Sequence, residues 1–378
     1  MLGRLLFLAL MLWAATAAGA PPTWATYTGA EGAGQSDVPG HVFWSVKYTD
    51  VLEKNGTVSV EYHTDTLKLE WSKLPLSGDY TLGARITGEA GFANLMPDYL
   101  LDGTRRLPRG FFSSYLQGQT WVEGALATDL WGTLELGGRR WIATGAPKTD
   151  PSFVLPTDTW SLETRLHLTW WALAHDAAWS DHHRAFPRLE GFALGVSFGL
   201  DWLADTAPWG AMDADAFSPP DPRNRPESVQ LMTYQWLRAG LPLGTSLRLE
   251  FEQSAGHRTG ADDRTRWPAG GLNPYVVPLA GAYWAYFHTA SFVSAGLTAR
   301  HVVSKGLEWG PFVTALDLED PARRGLKDRR SFLGTGVALD WRTGPWQVDM
   351  RAGYSPTLND FAPAARPWSL FMGVGWGE

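Results

Sequence analysis

The sequence predicts an all-β protein, a transmembrane antiparallel β-barrel of about 14–16 strands. Three observations carry that expectation. Bulky apolar residues alternate with small or charged ones over long stretches. The chain holds 21 Trp, 17 Phe and 11 Tyr at a mean hydropathy of only −0.18, and it opens with a secretory leader. Period-two alternation marks a sheet with unlike surroundings on its two faces. Tryptophan excess suits rings held half in hydrocarbon and half in the headgroup layer. A barrel hides its membrane signal, because lumen-facing residues dilute the lipid-facing ones.

The leader is MLGRLLFLALMLWAATAAGA, in which Arg4 precedes an apolar run from Leu5 to Trp13 and small residues follow. That is the layout of a signal peptide. Cleavage sites end at Ala17 and Ala20; Pro21 fits poorly after a cut, so residues 1–17 are expected to be removed. Residues 18–40, including PPTWATYTGAEGAGQSDVPG, read as a short flexible linker, small and Gly-rich. Residues 41–378 are expected to form the barrel.

From His41 about fourteen strand-like runs follow, bounded by Gly, Pro, Asn or Asp. Their alternation is clearest in FLGTGVALDWRTGPWQVDMRAGY, 332–354. Leu333, Val337, Leu339, Trp341, Trp346, Val348 and Met350 share one face; Asp340, Arg342, Gln347, Asp349 and Arg351 share the other. In 245–253, Leu247, Leu249 and Phe251 oppose Arg248, Glu250 and Glu252. In 161–171, Leu162, Leu166, Leu168 and Trp170 oppose Glu163, Arg165 and His167. Most runs reach the roughly 9–11 residues of a tilted membrane strand, and closure removes the exposed edges of such strands. The charged face is therefore expected inside and the apolar face against lipid. Longer connections, at 95–109, 144–159, 174–187, 205–226, 255–282 and 319–330, interrupt the shorter turns.

Other features exclude more than they assign. Without Arg4, 31 basic residues stand against 39 acidic ones, a charge of −8, with no basic block; nucleic acid is not an expected partner. Cysteine is absent. In HDAAWSDHH, His175, His182 and His183 with Asp176 and Asp181 are metal-ligand types, although a polar loop accounts for them equally. No cofactor is expected. His63, His167 and His301 lie in strands, but no spacing singles out a nucleophile, so no enzyme is expected. The inward charges, among them Arg248, Glu250, Arg300, Asp340, Arg342, Asp349 and Arg351, read as a paired network filling the interior, with pore selectivity the alternative.

The segment from Thr245 to Gly377 resembles the barrel of the BamA/TamA-like assembly factors, the bacterial surface antigen family. TSLRLEFEQSAG leads into a long loop holding GGLNPYVVPLAGAYWAYF, and SAGLTARHVV, GLEWGPFVTALDLED, GTGVALDW, GPWQVDMRAGYSP and PWSLFMGVGWG follow in the family's order. The resemblance implies sixteen strands, the two beyond the fourteen runs lying between Leu107 and Leu243. It also implies a loop folded into the lumen, with Gly270, Gly271 and Gly281 allowing close approach and Tyr275, Tyr283 and Trp284 packing. Arg300, Asp340 and Arg351 are the wall residues expected to meet it. Ala280 stands where the family's loop carries an arginine, Gly377 and Glu378 follow the last aromatic, and no periplasmic polypeptide-transport domain fits before the barrel. The implied role lies in the outer membrane of a Gram-negative-type bacterium. It is structural, or it assists insertion or transport of other outer-membrane proteins, with lipid as the surrounding partner. A pore for small solutes and, less so, a lipid-modifying enzyme are the alternatives.

Overall fold

The computed structural model describes residues 23–377 apart from 35–40, 53–55, 65, 90–94, 97–99, 102–103, 106–110, 146–148, 150, 152, 174–190, 214–220, 263, 273–275, 283–286, 320–328 and 362–365. Sixteen antiparallel strands close into one barrel. They are β1 (Thr23–Gly34), β2 (His41–Val51), β3 (Thr57–His63), β4 (Thr66–Ser77), β5 (Tyr80–Glu89), β6 (Phe111–Ala127), β7 (Leu130–Gly145) and β8 (Thr159–Leu173). The second half comprises β9 (Gly191–Leu203), β10 (Val229–Pro242), β11 (Leu247–Arg258), β12 (Ser291–Ser304), β13 (Leu307–Glu319), β14 (Arg329–Thr343), β15 (Trp346–Tyr354) and β16 (Arg366–Gly377). Each strand pairs with the next, and β1 pairs with β16 from Ala25↔Gly377 to Gly34↔Arg366. Fifteen of these strands follow from His41 onward and the sixteenth is β1, so only one of the two strands beyond the fourteen runs lies between Leu107 and Leu243; the other precedes His41.

The linker expectation is corrected for Thr23–Gly34. TWATYTGAEGAG has few strand formers, but β2 and β16 each offer it a hydrogen-bonding edge, and taking both closes the sheet. Tyr27, Gly29 and Glu31 turn inward and are buried. The leader expected at 1–17 lies outside the described residues.

The two faces fall as the alternation predicts. Leu333, Val337, Leu339 and Trp341 are exposed on β14 while Phe332, Ala338 and Asp340 are buried; on β15 Trp346, Met350 and Tyr354 are exposed while Gln347, Asp349 and Arg351 are buried. The exterior is thus an apolar band and the polar residues line the lumen. Trp24, Trp131, Trp170, Trp309, Trp341 and Trp346 ring one rim; Trp160, Trp202, Tyr354 and Trp368 ring the other. Along β8 the ten-residue step from Trp160 to Trp170 spans about 33 Å of strand, or about 25 Å of height at a tilt near 40°. That matches a hydrocarbon layer. Leu166, exposed midway between these girdles, gives a direct check. Leu166→Arg should cost about 2–4 kcal/mol in urea unfolding from lipid vesicles.

The rim where β1 begins and β16 ends carries two-residue turns at Gly78–Asp79, Thr128–Asp129, Lys305–Gly306 and Gly344–Pro345. The long connections leave from the opposite rim, except that between β8 and β9. After β15, Ser355 caps a short helix α1 (Pro356–Phe361): its Oγ accepts the Leu358 N–H at 3.2 Å, and Pro356 sits where a helix needs no N–H.

Candidate functional site

The segment between β11 and β12 turns back into the barrel. Trp267–Ala269 pairs with Phe287–Thr289, and the chain between them folds on itself. Gly270 N–H donates to Val277 at 2.8 Å and Leu279 N–H to Gly271 at 3.1 Å. Gly270 and Gly271 hold φ of 105° and 107°, a region that favours glycine.

Three backbone N–H groups then fasten the loop to the inner wall. Leu272 donates to Glu31 Oε1 on β1 at 2.7 Å, Ala280 to Thr314 Oγ1 on β13 at 3.0 Å, and Gly281 to Ser369 Oγ on β16 at 2.9 Å. Leu272 and Ala280 pack with Tyr27, Phe43, Phe312, Ala338 and Phe371. Leu279, Ala282 and Phe287 pack with Phe292, Leu316, Leu318, Phe332 and Leu358 of α1. Ala280 is fully buried. Its methyl lies where a Cβ on Gly334 or Gly353 would come within 2.8 and 2.7 Å, so two glycines on neighbouring strands form its seat. Gly281 (φ +83°) passes so close to the backbone at Tyr354, Ser355 and Pro367 that any Cβ would collide.

Ala280 is therefore a close-packed anchor at the position where the resemblance implied an arginine. Tyr275, Tyr283 and Trp284, expected to dock the loop, lie outside the described residues. Because the chain has no cysteine, Thr314→Cys, which sits under the Ala280 N–H, should resist a water-soluble maleimide in the intact barrel and react readily once 271–282 is deleted. Equal labelling with and without the loop would count against the seating.

Below the loop, buried charges link the strands. Arg248 Nε lies 2.9 Å from Glu250 and its Nη2 2.6 Å from Glu308. The other oxygen of Glu250 takes Arg300 Nε at 2.5 Å, Arg300 also pairs with Asp340, and Arg351 Nη2 lies 3.5 Å from Asp340. The chain of pairs crosses β11 to β15. Gln347 donates to Asp349 at 2.7 Å. The Tyr27 hydroxyl reaches Asp349 at 3.3 Å across β16, lying in the space left by Gly373. Tyr27 thereby spans the closing seam.

Of the expected residues, Arg300, Asp340 and Arg351 do come together, but the partners described above are one another and Glu250. The loop takes Glu31, Thr314 and Ser369 instead. A backbone N–H needs a neutral or anionic acceptor, which arginines cannot supply. Arg342 lies near the short-turn rim, with Lys47 and Gln347, around a cavity of about 390 Å³. Glu31 escapes a sequence reading because it sits in the Gly-rich first strand. His175, His182 and His183 lie outside the described residues; among the described residues no metal-ligand cluster forms. His167 Nδ1 and Ser197 Oγ stand 2.7 Å apart, but they belong to lumen-facing positions of β8 and β9, not to a lipid-facing rim.

At the long-loop rim, segments interlock. Phe111, Phe153 and Trp209 form a small core, Val154 and Gly210 bridge, and Trp209 Nε1 donates to Asp262 at 2.9 Å. Asp205 accepts from Ala207 N–H and from Thr157, which holds its carboxyl below the usual range.

No family model matches the chain, and no curated protein matches it. Solved structures do. BamA from Haemophilus ducreyi lacking POTRA domains 1–3 superimposes with a TM-score of 0.65 at 10% identity, covering 94% of this chain and 70% of that one. CdiB from Acinetobacter baumannii gives 0.59 at 10% identity, with 94% and 60% covered. CdiB from Escherichia coli gives 0.55 at 12%, with 94% and 63% covered. The chain shares the barrel fold of these structures. At these identities the likeness concerns the fold, and the chain spans less than two thirds of either CdiB.

Proposed function

We propose that this chain is a plugged barrel of the bacterial outer membrane that assists insertion or transport of other outer-membrane proteins. One observation carries the reading: the loop from Trp267 to Thr289 is fastened inside the lumen to β1, β13 and β16, and so fills the barrel while buttressing its closing seam. A barrel of sixteen strands is too wide for its own side chains to fill. A long loop built into that space has a purpose beyond connection. BamA and CdiB share the architecture, which supports the same reading. Conductance in planar bilayers tests it. The intact chain should show small, infrequent openings, and deletion of 271–282 should produce large steady ones. Large steady openings of the intact chain would instead favour a pore for small solutes, a reading that the cavity beside the loop and the one at the short-turn rim support. Depletion from cells should lower the amounts of other outer-membrane proteins; unchanged amounts would remove the assisting role.

A further inference from the structure

The connection between β15 and β16 is built against the loop rather than clear of it. The β14–β15 ladder ends where Thr335 meets Tyr354, while β14 runs on to Arg329 at the long-loop rim. Backbone groups past the end of a ladder still need partners. Two hydroxyls of the connection supply them at Leu333. Its N–H donates to Thr357 Oγ1 at 2.8 Å, and its carbonyl accepts from Ser355 Oγ at 2.8 Å. Side chains here take the place of a strand.

The same connection meets the loop twice. Ser355 N–H donates to the Pro367 carbonyl at 2.9 Å and ties the two ends of the connection together. Gly281 lies directly on that bond, where a Cβ would collide with the backbone of Ser355, Pro367 and Tyr354. Within α1, Leu358 is fully buried and packs with Leu279, Ala282 and Phe287. Leu279 and Ala282 flank Ala280 and Gly281, whose N–H groups bond Thr314 and Ser369. Leu358 therefore bears on the stretch of loop that carries two of the three wall bonds.

We propose that this connection, α1 with Ser355, is a clasp: it keeps the whole loop seated, and its opening at the long-loop rim frees the plug. The inference rests on the plugged-barrel reading and names the element that controls it. The wall partners Glu31, Thr314 and Ser369 lie on strands with a ladder on each side, so they cannot shift without breaking the barrel. The clasp hangs instead on hydroxyl bonds and one leucine, outside any ladder. Elements that move come from such low-stability parts of a fold. Pro356, at the start of α1, is exposed, so the clasp is reached without entering the lumen.

Amide exchange in the full mature chain, held in detergent, tests the clasp. Leu358→Ala should quicken exchange about a hundredfold at Gly281. It should do so equally at Leu272, which bonds to β1 and packs in a different cluster from Leu358. The β7–β8 ladder should keep its protection. Leu358→Met, which refills the space, should restore both amides, and Thr357→Val, which keeps the shape and removes a hydroxyl, should quicken both about fivefold. Quickening at Gly281 without Leu272 would make α1 a local support and overturn the proposal. Unchanged exchange at both amides, or equal loss along the β7–β8 ladder, would overturn it as well. Conductance keeps the two readings apart: Leu358→Ala should open the barrel more often, toward the behaviour of the 271–282 deletion. If the exchange results hold while the deletion opens nothing, the clasp stands and the plug reading falls. If the deletion opens the barrel while Leu358→Ala leaves Leu272 protected, the plug reading stands and the clasp falls.

Discussion

Ala280→Arg is expected to expel the loop from the lumen. Ala280 is fully buried on the glycine seat of Gly334 and Gly353, with its own N–H bonded to Thr314. A longer side chain there overpacks a filled space, at about 1–3 kcal/mol, and it adds a cation among apolar neighbours, which costs more. The three wall bonds of Leu272, Ala280 and Gly281 form together, so they should be lost together. Amide exchange at Leu272 and Gly281 should quicken about a hundredfold, the equivalent of about 2.8 kcal/mol. Gly353→Val attacks the same contact from the wall and should give the same exchange pattern with no added charge. Unchanged protection in both variants would mean that the loop is not seated there. The position where the sequence resemblance implied an arginine is, in this chain, one that cannot accept it.

Asp340→Leu is the second large effect. Asp340 lies between Arg300 and Arg351, all three buried. Removing the carboxylate leaves Arg351 without that partner and Arg300 with Glu250 alone. Breaking a buried pair from one side costs about 3–5 kcal/mol, because an uncompensated charge stays in a low dielectric. Asp317→Leu is the matched control. Asp317 pairs with Arg329 on the same two strands, β13 and β14, but both side chains are largely open to solvent, at 35% and 48% exposure. Such a pair contributes under about 1 kcal/mol. Urea unfolding of the two variants in lipid vesicles should separate them clearly; equal costs would refute the buried network.

The apolar and charged faces were legible from residue order because side-chain period is a local property of an extended chain. The girdle tryptophans at 341 and 346 were legible for the same reason, as was a loop near 270–283 rich in glycine. The first strand was not. Thr23–Gly34 has the composition of a linker and becomes a strand only because two edges wait for it. The pairing of individual charges was equally hidden: Arg248 and Glu308 are sixty residues apart, and nothing along the chain selects Glu308 over other inward acids.

The sequence by itself determined which residues face lipid and which face the lumen, and hence that the chain forms a membrane barrel. Tertiary structure decided which strand closes the sheet, where the loop sits and which charges meet. It also decided that the connection after β15 folds onto the loop. The division has a physical cause. Period-two patterning needs only a residue's nearest neighbours, whereas a seat, a seam or a cluster exists only once the barrel's curvature brings distant strands to one inner wall.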